Sequence, residues 1–203
     1  MTDNFSFSRL RRLRNNGVIR GYVSENSLDI KKFVYPLFIR FGVDVKEPIS
    51  SMPGCFNISL DHLKREVEYI VSLGITGVLL FGIPEMKDAV GSDCYSDDGI
   101  IQEAIKVIKD TAPDLYVITD ICLCEYTDHG HCGIVENGVI NNDETIKLLG
   151  ESALTHVQAG ADMVAPSAMM DGQVKAIRSF LDAGSFTHIP IMGYSAKYSS
   201  AFY

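Results

Sequence analysis

From residue 33 onward the chain alternates: short runs rich in β-branched and aromatic residues are each followed by a longer stretch of helical period. No other feature limits the fold as strongly, because strands joined through helices run parallel and need cover on their faces. Residues 33–39 read as a first strand, although Pro36 is awkward at a fully paired position. Leu60, Leu63, Val67, Ile70 and Val71 then share a helical face, with Ser59 as cap and Gly74 as stop. Residues 77–81 form a second strand, and Ile100, Ile101, Ala104, Ile105 and Ile108 a second helix, closed by Pro113. A third strand spans 115–121, and after a long loop a helix opens near Asp143, with Ile146, Leu149, Ala153 and Val157 inward and Gly160 at its end. Residues 162–165 are a fourth strand, Asp171 caps a helix bearing Val174, Ile177 and Leu181, and 189–193 are a fifth strand.

Two architectures satisfy this alternation, an open doubly wound sheet and a closed (β/α)₈ TIM barrel. Phe81, a cysteine cluster at Cys122, Ser167 and Lys197 fall at or just after the carboxyl ends of successive strands. Barrels build their sites there, whereas an open sheet gathers ligands at one crevice. The expected fold is therefore α/β, a (β/α)₈ TIM barrel truncated after about five strands. Residues 1–32 form an N-terminal arm and 33–203 the barrel portion. Arg9, Arg11, Arg12 and Arg14 enclose Leu10 and Leu13, which fits equally a solvated terminus or an arm embracing a neighbouring subunit.

With 203 residues and 46% hydrophobic side chains the chain can bury a sizeable core. Its net charge of -8 gives no reason to expect nucleic acid or an anionic membrane. No basic-then-apolar leader and no apolar run of about 20 residues occurs, so the expected location is cytoplasmic. Five cysteines are an odd number and three are crowded together, which points to metal or thiol chemistry rather than a disulfide framework.

The crowded segment is Asp120-Ile-Cys122-Leu-Cys124-Glu-Tyr-Thr-Asp-His129-Gly-His131-Cys132-Gly133. Thiolates are soft ligands suited to Zn²⁺. If Cys122, Cys124 and Cys132 act alone, the fourth position is open and the metal is catalytic; if His129 or His131 joins them, the site is closed and structural. Cys55 and Cys94 have no second thiol or histidine at close spacing and read as ordinary core cysteines. Lys197 follows directly from the fifth strand among Tyr194 and Tyr198. Desolvated there, its amine would lose its proton readily and could attack a ketone. An imine-forming lysine and an electrophilic metal in one pocket could join two keto-amines.

The thiol segment resembles the zinc-binding signature of the porphobilinogen synthase (5-aminolevulinate dehydratase) family, and Ser195-Ala-Lys197-Tyr-Ser-Ser-Ala-Phe-Tyr203 resembles its lysine motif. Ala165-Pro-Ser167-Ala-Met-Met-Asp171-Gly172, Ser51-Met-Pro-Gly54, Gly91-Ser92 and Asp97-Asp98-Gly99 follow the family's order. Gly193 and Ala168 depart from its usual residues. The resemblance implies a barrel with an arm, a homo-oligomer up to an octamer, and condensation of two 5-aminolevulinate molecules in haem synthesis. It implies Cys122, Cys124 and Cys132 as Zn²⁺ ligands, Lys197 as the first of two active-site lysines, and Phe81, Asp120 and Ser167 lining the pocket. It leaves room for an additional allosteric Mg²⁺. The family's second lysine and carboxylate-binding arginines have no counterpart in these 203 residues. The chain is thus expected to be either an enzyme whose sequence is cut short or an inactive fragment serving at most as a zinc-binding or subunit-interaction module. A class I aldolase-like enzyme would explain Lys197 but not the thiols.

Overall fold

The computed structural model describes residues 8–195. Its first part is a 3-10 turn (Leu10–Arg14), helix α1 (Gly17–Tyr22) and a second 3-10 turn (Ile30–Lys32), none of which buries a residue. Asn16 caps α1 by accepting hydrogen bonds from the amides of Val18 and Ile19, both at 3.0 Å. The alternation then begins: β1 (Val34–Arg40), the short strands β2 (Lys46–Pro48) and β3 (Phe56–Ile58), α2 (Leu60–Ser72) and β4 (Gly77–Ile83). After a 3-10 turn (Ser92–Tyr95) come α3 (Ile100–Thr111), β5 (Tyr116–Ile121), the hairpin β6 (Ile134–Glu136) and β7 (Val139–Asn141), α4 (Asn142–Ala159), β8 (Met163–Pro166) and α5 (Gln173–Ala183).

The six-stranded sheet has the order β2-β3-β1-β4-β5-β8 and is parallel except for β2. Strand alternation divides its faces. Leu37, Leu80, Thr119 and Val164 form one row across the strands, all buried, on the side of the helices. Gly82 shares that side: a methyl group there would collide with Tyr126 and with Ile100 and Ile101 of α3. The fully buried Ile100, Ile101, Ile105 and Ile108 anchor α3 on the sheet, at about 1.5–3 kcal/mol of hydrophobic stabilisation each. The opposite face carries the neighbouring row Phe38, Phe81, Asp120 and Ala165.

The four expected major strands form, within two residues of the expected limits. The expected fifth strand is a single parallel bridge, Val164 to Ile191, held by hydrogen bonds of Val164 N to Pro190 O (3.3 Å) and Met192 N to Val164 O (2.9 Å). Pro190 has no N–H to give such a ladder. Two helix faces are narrower than their periodicity predicts, since Val71 and Val174 are both 47% exposed. Nor does Asp171 cap α5; Gly172 does so with φ of 78°, and Asp171 instead receives Asn142 Nδ2 on its carbonyl at 3.2 Å, tying the loop to α4. No helix among the described residues is long and apolar enough to cross a membrane.

Candidate metal centre

The sheet delivers the candidate residues to one end. Cys122 follows the last residue of β5 and is 1% exposed. The chain then makes a helical turn, with the amides of Tyr126 and Thr127 both donating to Leu123 O at 2.9 Å. Leu123 and Tyr126 are buried beneath the turn, so Cys124 faces back toward Cys122 and their sulfurs lie 3.3 Å apart. Gly130, with φ of 72°, turns the chain again and returns Cys132 to the pair. The three sulfurs all lie within 4.8 Å of one another.

Packed together and partly shielded from water, Cys122 and Cys124 hold their protons tightly. Cys122 is raised far above an ordinary thiol by its hydrogen bonds with Cys124 and Cys132 and by burial. At Cys124 the hydrogen bond from Cys122 favours the thiolate, but the bond with Cys132 and burial outweigh it and push the thiol up to about 12. Three such groups can ionise together only if a cation compensates them. A tetrahedral zinc with Zn–S of about 2.3 Å needs sulfurs about 3.8 Å apart, which these positions satisfy with small adjustments. The residues present fit a soft divalent ion.

Asp120 and Ser167 stand on the same face as the thiols. Asp120 is 5% exposed and accepts a hydrogen bond from Ser167 Oγ at 2.9 Å. Phe81 stacks on Phe38, ring centroids 5.1 Å apart and planes 15° from parallel. Sequence reasoning missed Phe38, which only the register with β4 brings to Phe81. It also passed over Glu125. Burial, and then the nearby Asp120 charge, raise that carboxyl well above its usual range, against the pull of Lys87. Its place between Cys124 and Tyr126 was the available signal.

Neither histidine of the segment belongs to the sulfur cluster. His129 Nδ1 receives the amide of His131 at 3.1 Å, and Nε2 lies 3.3 Å from Ala89 O. Cys94 is buried with its sulfur 2.9 Å from Ser152 Oγ and 3.9 Å from the Cys122 carbonyl, and Cys55 is half-buried; neither sulfur joins the cluster of three. Lys197 lies outside the described residues. A second cluster, Asp44, Asp61 and His62, also brings three ligand atoms within 4.8 Å, but Asp44 and Asp61 are exposed.

Comparison with known proteins identifies the family. The sequence model of the family described as delta-aminolevulinic acid dehydratase matches residues 7–203. The delta-aminolevulinic acid dehydratase of Halalkalibacterium halodurans is 50% identical over 203 residues, all of this chain and 62% of the relative. That of Ruminiclostridium josui is 49% identical over 96% of this chain and 95% of its own length. A solved structure of the delta-aminolevulinic acid dehydratase (porphobilinogen synthase) of Toxoplasma gondii ME49, in complex with the reaction product porphobilinogen, superposes with a TM-score of 0.90 at 39% identity. That match covers 97% of this chain and 57% of the other. The chain spans about three fifths of the length of most relatives it matches. A family match over nearly every residue, joined to a thiol cluster at the end of β5, means that this chain belongs to the delta-aminolevulinic acid dehydratase (porphobilinogen synthase) family.

Proposed function

We propose that the chain supplies the metal-thiolate and first-lysine part of a porphobilinogen synthase site, which joins two 5-aminolevulinate molecules into porphobilinogen with loss of two waters. The observation that carries this reading is the trio Cys122, Cys124 and Cys132 beside the Asp120–Ser167 pair at one strand end. An all-sulfur donor set favours Zn²⁺. Held by Cys122, Cys124 and Cys132, a zinc ion would supply Lewis acidity toward a substrate carbonyl or amine. The chain's own groups do the remaining work. Ser167 fixes the Asp120 carboxylate, which takes a proton from substrate, and the stacked Phe38 and Phe81 wall the pocket against water. Lys197 attacks the ketone of one substrate, and loss of water leaves an imine. Supporting that role, Tyr194 N donates to Pro166 O at 3.3 Å, so the chain runs past Ser167 just before the lysine motif.

Residues 1–32 carry seven basic and three acidic side chains, in a chain with 18 basic and 26 acidic ones. A basic arm with exposed Leu10, Val18 and Tyr22 therefore complements the acidic body of a second copy, which supports a homo-oligomer. Free, clustered thiols suit the reducing cytoplasm. A second reading is a zinc-binding or subunit-interaction module without turnover, for which the thiol trio suffices.

The test uses the purified 203-residue chain with reduced thiols. Both readings expect one zinc per chain, lost in Cys124→Ala, and porphobilinogen formed from 5-aminolevulinate by these 203 residues alone would select the enzyme. Zinc binding without product selects the module, and absence of thiol-dependent zinc binding overturns both.

A further inference from the structure

The two histidines of the thiol segment are not part of the sulfur cluster, yet His129 has both ring nitrogens engaged. Nδ1 accepts from the His131 amide, so the ring proton sits on Nε2, which points at Ala89 O. The first bond closes the turn His129-Gly130-His131 that leads directly into Cys132. The second reaches across to the loop between β4 and α3. That loop is already laced to the thiol segment: Asp88 N donates to Tyr126 O at 3.3 Å, and Asp128 N to Asp88 O at 3.0 Å. Asp88 and Thr127 form an isolated parallel bridge, and Thr127 Oγ1 donates to His131 O at 2.9 Å. Asp88 itself is held by the amides of Val90 and Ser92. The loop is thus a rigid abutment, and His129 is the side chain that fastens the returning limb of the thiol segment to it.

We infer that His129 is a positioning residue that sets Cys132 in place by bridging the His131 amide and the Ala89 carbonyl, and so tunes metal affinity without touching the ion. The inference rests on the metal-thiolate reading above. A partner that orients a metal ligand commonly controls about 10–100-fold in affinity.

Two isosteres separate the bonds. In His129→Asn the amide oxygen can stand where Nδ1 accepts, while the reach to Ala89 is lost. In His129→Gln the amide nitrogen can stand where Nε2 donates, while the bond to His131 is lost. Affinity of the full chain and each variant for Zn²⁺ is read by chelator competition. Co²⁺ is the optical probe of the donor set, and hydrogen exchange reports on the Asp88 and Asp128 amides. The expected result for His129→Ala is weaker binding by about 10–100-fold, an unchanged Co²⁺ thiolate spectrum, and faster exchange at both amides. Asn and Gln should each restore part of the affinity. Wild-type affinity in His129→Ala overturns the inference, and so does a changed Co²⁺ spectrum, which would make the ring a ligand. If the wild-type chain shows no thiolate spectrum with Co²⁺, the metal-thiolate reading itself is overturned.

Discussion

The chain contains two clusters that meet the same distance criterion. Cys122, Cys124 and Cys132 bring three ligand atoms within 4.8 Å, and so do Asp44, Asp61 and His62. Their surroundings differ. Cys122 is buried and Cys124 half-buried, and burial together with mutual hydrogen bonding holds the protons of both. The acidic cluster lies at the start of α2 and its acceptors are already used. Asp61 takes the amide of Asp44 at 3.0 Å and the hydroxyl of Ser59, and Asp44 takes His62 Nε2 at 2.8 Å. The Ser59 bond is the main reason the Asp61 carboxyl stays below its usual range. Such a cluster needs no cation, because local hydrogen bonds already stabilise its charge. Juxtaposition alone does not make a metal site; unmet electrostatic demand in a shielded place does.

That contrast can be broken most severely at the thiols. Cys122→Ser should lower zinc affinity by more than the about 100-fold that an outer partner commands, as measured by chelator competition. A smaller loss would mean that the buried sulfur is not a ligand. Next in size is a buried titratable group that has no cation to meet. His156 of α4 is fully buried, and burial lowers its value from 6.5 to about 3 against the smaller pull of the Cys94 backbone. The folded state keeps the ring neutral while the unfolded chain takes up a proton below 6.5. Its contribution is therefore complete above that pH and is lost as pH falls toward 3, up to a ceiling of about 5 kcal/mol. Urea unfolding of His156→Met between pH 7 and 4 should show a flatter pH dependence than wild type. An unchanged slope would show that other groups govern acid stability.

Smaller effects sharpen the other side. Ser59 is fully buried and accepts the amide of Val45 at 2.9 Å, so Ser59→Ala should cost about 1–3 kcal/mol by leaving that donor unpaired. Denaturant midpoints would measure it, and zinc affinity should not move. Least of all, Asp44→Ala removes a surface hydrogen bond with His62 and should change stability by less than about 1 kcal/mol. If it weakens zinc binding, the two clusters are not independent.

Much of this was legible in the residues. The strands β1, β4, β5 and β8 are largely apolar runs, and the thiol spacing singled out three sulfurs that do converge. What escaped lacked a periodic signal. β2 is exposed throughout and has no apolar face, pairing antiparallel with β3. The β6–β7 hairpin lay inside a segment read as loop, although Asn137 and Gly138, both with positive φ, are a recognised two-residue turn. Phe38 required knowing that β1 and β4 align without offset. The fully buried Gln102 and His156 sit at positions where helical period predicts only that something is inside, not that it is polar.

The register across β1, β4, β5 and β8 makes parity along each strand a functional quantity. Deleting one residue early in β5 would exchange the orientations of Thr119 and Asp120, sending the carboxylate toward the helices and a hydroxyl toward the pocket. The same deletion in the Asn137–Gly138 turn would fall at the tip of a two-stranded hairpin outside the main sheet. Drift in length is thus confined to loops, and single-residue insertions and deletions should be purged from the strands even where substitutions survive.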